Sequence, residues 1–116
     1  MRDHHKLKDF ELADHAALKV YHITRAFPKD EVYGLSSQMR RAAISVPSNI
    51  VEGCARTTQQ EYLRFLDIAF GSLRELIYQL SLAQRLAYVS DSAATECREN
   101  LTETERVLSA LIRSLR

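Results

Sequence analysis

Apolar residues recur every three or four positions in four long runs, each bounded by a short polar stretch. The first run spans about Asp9 to Phe27. Phe10, Ala13, Ala17, Val20, Thr24 and Phe27 fall on one helical face. Asp9 is placed as an N-cap, Glu11 suits the positive end of the helix dipole, and Pro28 closes the segment. After a loop ending at Gly34, Ser36 or Ser37 is read as the cap of a second helix reaching Cys54 or Arg56. Its inward face carries Met39, Ala42, Ala43, Val46, Ile50, Gly53 and Cys54. Pro47 lies inside this run, lacks an N–H and crowds the carbonyl of Ala43. The expectation is a kink there, or two shorter helices meeting near it.

Thr57 with Gln60, and Thr58 with Glu61, have the spacing of a capping box. They introduce a third helix from about Thr58 to Tyr88, with Tyr62, Leu66, Ala69, Leu73, Leu76, Leu80 and Ala83 as its stripe. Leu63, Phe70 and Ile77 widen that stripe. Gly71-Ser72 marks a place where another backbone would approach. After the turn Val89–Ser92, the fourth helix repeats Ala94, Cys97, Leu101, Thr104, Leu108, Leu111 and Leu115. Four amphipathic helices with short connections predict an all-α, antiparallel up-down-up-down four-helix bundle. Residues 1–116 are read as one domain, with 1–8 as a flexible lead.

Some apolar positions exceed what four stripes require. Ile44, Pro47 and Val51 lie away from the inward face of the second helix. Ile68, Tyr78, Leu82 and Leu86 point away from the main stripe of the third. Scattered exposed apolar residues are ordinary on monomers. Concentration on two adjacent helices favours a subunit interface at Ile44, Val51, Ile68, Tyr78, Leu82 and Leu86.

Composition adds little to this. With 116 residues, 3 Gly and 2 Pro, the chain has few residues for the turns of a sandwich or barrel. Sixteen basic and 15 acidic side chains give a net charge of +1, not the surplus of a non-specific polyanion binder. No apolar run is long enough for a membrane span, and the charged N-terminus lacks a signal-peptide core, so a cytoplasmic protein is expected. Cys54 and Cys97 are then free thiols packed as small apolar side chains, rather than one long bridge.

Catalytic and metal signatures are missing from the pattern. Bundle metal centres use Glu-x-x-His pairs, and none occurs. His15 and His22 share a face, but seven residues span about 10 Å, too far for one ion. His4 and His5 are assigned to the tail. No nucleophile elbow, phosphate loop, dinucleotide fingerprint or Cys-x-x-Cys is present, so no enzyme, cofactor or metal site is expected. The densest polar constellation is Gln38, Arg41, Ser45, Ser48, Asn49, Glu52 and Arg56 on one side of the second helix. Three readings fit it: a solvated face with ion pairs, polar packing around Pro47, or a ligand or nucleic-acid contact. Arg40, Arg41, Arg56 and Arg64 would form a modest phosphate-facing patch, diluted by acidic neighbours.

Phe27-Pro28, Glu31, Tyr33-Gly34-Leu35, Gln38, Arg40-Arg41-Ala42-Ala43, Ser45, Pro47-Ser48-Asn49-Ile50 and Glu52-Gly53 form one long pattern. It continues through Arg56, Glu61, Phe65-Leu66, Ile68-Ala69, Gly71-Ser72-Leu73, Glu75-Leu76, Tyr78-Gln79-Leu80 and Leu82-Ala83. This pattern resembles the four-helix-bundle proteins of the 23S ribosomal RNA intervening-sequence type. The resemblance implies a cytosolic bundle assembling as a ring-like homopentamer, of unknown biochemical role. It also implies a distant relation to accessory proteins of diversity-generating retroelements, whose basic barrels contact nucleic acid and a reverse transcriptase. This chain departs from relatives in having no Trp and in being nearly neutral. The leading expectation is a non-enzymatic oligomeric interaction protein. The alternative is an RNA- or DNA-binding accessory protein using the four arginines.

Overall fold

The computed structural model describes residues 2–116, which fold as four α-helices. They are α1 (Lys8–Thr24), α2 (Leu35–Cys54), α3 (Gln59–Arg85) and α4 (Asp91–Leu115). Each helix packs on its neighbours in sequence, and α1 closes the square against α4. Short connections make successive helices antiparallel, so this is the up-down-up-down bundle that the pattern predicts. Among the described residues no helix is long and apolar enough to cross a membrane.

The inward stripes of α2 and α3 form as the periodicity dictates. Met39, Val46, Ile50, Leu66, Leu73, Leu76 and Leu80 are sealed from solvent. In α4 the stripe drifts. Ile112 is buried where the strict repeat expects Leu111, and Leu111 and Leu115 lie only partly buried. A straight helix turns once per 3.6 residues, so a 3.5-residue repeat slips round its surface toward the C-terminus.

Helix ends depart more from expectation. Leu7, not Asp9, is the N-cap of α1; Asp9 lies inside the first turn and is buried. Neither Ser36 nor Ser37 caps α2. Glu31 does so from the preceding 3₁₀ turn, its Oε1 accepting the Leu35 N–H at 3.0 Å. The other Glu31 oxygen accepts the Tyr88 hydroxyl at 2.7 Å. Those two bonds hold the Glu31 carboxyl below its usual range. A Cβ at Gly34 would crowd Glu31 Oε1, so a side chain there would push the capping carboxylate aside.

Helix α2 runs unbroken through Pro47, so two separate helices do not form. Pro47 is itself buried and leaves the set of surplus apolar residues. Thr58 caps α3 by accepting the Glu61 N–H, as the capping-box spacing predicts. That helix ends at Arg85 rather than Tyr88. Ala87 takes a left-handed φ of 61°, and the Tyr88 N–H bonds to the Ala83 carbonyl, closing a Schellman turn without glycine.

The N-terminal stretch read from sequence as a lead carries a 3₁₀ turn, His4–Lys6. Its Arg2 N–H donates to the Cys54 carbonyl at 3.2 Å, and the Arg2 guanidinium lies 3.9 Å over the Tyr62 ring.

Candidate interaction face

Helices α2 and α3 form the most tightly joined pair, and their small residues explain the fit. Gly53 faces the Phe65 and Tyr62 side chains at one end. At mid-helix the Ser45 and Ser72 hydroxyls are 2.8 Å apart. Gly71, expected to admit another backbone, instead faces outward with nothing within 4 Å of its Cβ position. Its carbon is on the solvent side of α3, while the contact to α2 belongs to Ser72.

The serine pair forms the base of a polar cleft of about 340 Å³ lined by Gln38, Arg41, Ala42, Ser45, Ser72 and Glu75. Asn49 braces it, donating to the Ser45 carbonyl at 2.8 Å and to its hydroxyl at 3.0 Å. Gln79 is only 6% exposed and donates to Glu75, which leaves its own Oε1 buried without a partner. Part of the predicted polar constellation therefore converges: Gln38, Arg41 and Ser45 line the cleft, with Asn49 behind them. Ser48 faces solvent, and Glu52 pairs with Arg56 at 3.2 Å. The sequence reading missed Ser72, Glu75 and Gln79. Their spacing of three and four on α3 is the signal that would have found them.

The four candidate arginines separate into two groups. Arg40 lies 4.8 Å over the Tyr21 ring and donates to the Thr24 hydroxyl, while Arg41 lines the cleft. Arg56 and Arg64 each stand 4.6 Å from the Phe65 ring centre, paired with Glu52 and Glu61 respectively. Arg41 stands 13 residues before the end of α2 at Cys54, about 20 Å along the helix, and Arg56 lies beyond that end. Among the described residues, Arg40 and Arg41 thus share no partner with Arg56 and Arg64, which meet at the Phe65 ring.

The surplus apolar residues remain at the surface. Ile44 is 44% exposed, Ile68 41%, Tyr78 60% and Leu86 47%, while Val51 and Leu82 are half-buried. At 100° per residue, Ile68 and Leu86 coincide on α3, Leu82 lies about 40° away and Tyr78 about 80° away. Ile44 and Val51 share the outer face of α2. Leu18 on α1 and Tyr33 in the α1–α2 connection are also exposed; Leu18 was not singled out from sequence, and Tyr33 figured there only in the family pattern.

The cysteine thiols are poor nucleophiles. Both are free and buried. Burial pushes Cys97 up to about 11, and burial with nearby Asp9 also raises Cys54. His15 and His22 are exposed on α1.

The family model for the 23S rRNA-intervening sequence protein matches residues 5–110. The chain belongs to that family. A similar solved structure is the crystal structure of a protein of unknown function from the S23 ribosomal protein family of Bacteroides thetaiotaomicron. It superposes with a TM-score of 0.83 at 20% identity, covering 90% of this chain and 97% of the other. At that identity the likeness shows the shared bundle fold. No curated protein matches the chain. The family takes its name from a ribosomal RNA sequence and not from a reaction, and the structural neighbour has no known function.

Proposed function

We propose that this family member is a non-enzymatic, cytoplasmic interaction protein that works as a homo-oligomer through the outer face of α2 and α3. One observation carries the reading: Ile44, Ile68, Tyr78 and Leu86 stay exposed after the four-helix core is complete. Removing such surface from water favours association at about 25 cal/mol per Å², part of which offsets lost motional freedom. A ring requires two different patches to meet across each contact. Ile44 with Val51 on α2, and Ile68 with Leu82 and Leu86 on α3, supply two such patches. Five copies is the number that the family resemblance suggests. Sedimentation velocity at micromolar concentration tests the proposal. A single species several times the chain mass supports it, and a monomer overturns it.

The alternative, nucleic-acid contact by Arg40, Arg41, Arg56 and Arg64, has weaker support. Three of the four are held by neighbouring side chains in the folded subunit. A steep loss of RNA affinity with added salt, abolished by Arg41→Ala and Arg56→Ala, would favour it instead.

A further inference from the structure

We propose that Asp3, His4 and His5 bind one divalent transition-metal ion of the zinc class. One ligand atom from each residue lies within 4.8 Å of the others. Asp3 Oδ1 and His5 Nδ1 are 3.2 Å apart. Two donors each about 2.0–2.1 Å from an ion, and roughly 100–110° apart, have about that separation. The carboxylate and one imidazole therefore already stand at ligand spacing, bridged now by a hydrogen bond that an ion would replace.

Local structure holds the donors in place. Asp3 is the N-cap of the 3₁₀ turn, its Oδ1 accepting the His5 N–H at 3.1 Å. That bond orients the carboxylate toward the rings, as outer hydrogen bonds do for metal ligands. The His4 ring meets the Phe10 edge at 4.7 Å and the His5 ring at 4.0 Å. Phe10 packs against the bundle core. The turn is fastened on both sides, by Arg2 to the Cys54 carbonyl and by Leu7 against the core.

The donor set selects the class of ion. Two imidazoles and a carboxylate suit Zn²⁺, Ni²⁺ and Cu²⁺, whereas Mg²⁺ and Ca²⁺ prefer oxygen ligands. Three protein ligands leave a position for water, the arrangement of an open and exchangeable site rather than a four-ligand structural one. It is the one group of three or more clustered metal-ligating side chains among the described residues. The sequence reading placed His4 and His5 in the lead and named no metal ligand. The Asp3 cap brings the three together, and spacing arguments for helices do not reveal it. Bound to the folded turn, the ion would fasten the N-terminal stretch over the Tyr62 end of the bundle.

The test uses the untagged full chain stripped with chelator, titrated with Zn²⁺ by calorimetry and with Co²⁺ by visible absorption. The expected result is one ion per chain at micromolar concentration. His5→Ala and Asp3→Asn should each weaken it at least tenfold, roughly the loss typical of a missing ligand or its orienting partner. His15→Ala and His22→Ala should leave it unchanged. No saturation at millimolar Zn²⁺ would overturn the proposal. So would binding that survives His4→Ala with His5→Ala, or that is lost with His15→Ala. Circular dichroism of each variant separates loss of the site from loss of the fold.

Discussion

Gly53 packs so closely on Phe65 that a Cβ on it would meet the phenylalanine Cβ at 3.0 Å. Tyr62 closes the other side at 3.2 Å. Gly53→Ala should therefore destabilise the protein despite the better helix propensity of alanine. Gly71→Ala meets open space in the folded chain and should stabilise the helix by about 0.5–1 kcal/mol. Paired thermal melts check this, and the same sign for both substitutions would contradict the packing described.

Ala87 sits at the left-handed position that ends α3. A side chain there costs on the order of 1 kcal/mol, which glycine avoids. Ala87→Gly should raise the denaturation midpoint. An unchanged or lower midpoint would show that the Schellman turn is not strained.

Leu73 is fully buried in the core, whereas Leu82 is half-buried on the outer side of α3. Leu73→Ala should cost about 2–5 kcal/mol in chemical denaturation. Leu82→Ala should cost clearly less when both are measured in a monomeric background. Equal losses would show the two faces wrongly assigned.

Asp9 is buried near Cys54 and Tyr62, with Oδ2 unpaired. Burial raises its pKa above the ordinary 3.8, opposed by backbone hydrogen bonds from Phe10 and its own N–H. The folded state then holds the proton more tightly than the unfolded chain. Its stabilising effect is full below 3.8 and is lost as pH rises through the raised value. Asp9→Asn should gain stability relative to wild type across that rise. A difference between the two proteins that does not change with pH would contradict this.

The inward faces of α2 and α3 were legible because burial there follows a single helical period. Leu73 and Met39 need no information beyond their own helix. The ends of helices were less legible, because their partners come from elsewhere. Glu31 caps α2 while bonded to Tyr88, 57 residues away. The Schellman turn was hidden because Ala87 stands where glycine usually signals it. The α2 side of the polar cleft was visible as Gln38, Arg41 and Ser45. The α3 side, Ser72 and Glu75, required knowing that those residues face α2. Ile44, Ile68 and Leu86 were legible as surplus because the core was already complete without them.

If the outer face of α2 and α3 joins copies of this chain, breaking that face should leave a folded monomer. Light scattering of wild type beside the Ile44→Glu, Leu82→Glu double variant decides between assembly and monomer. The expected wild-type mass is near five times the 13.3 kDa of one chain, with a helical variant near one chain mass. A wild-type mass of 13.3 kDa, or a variant as large as wild type, would contradict assembly through that face.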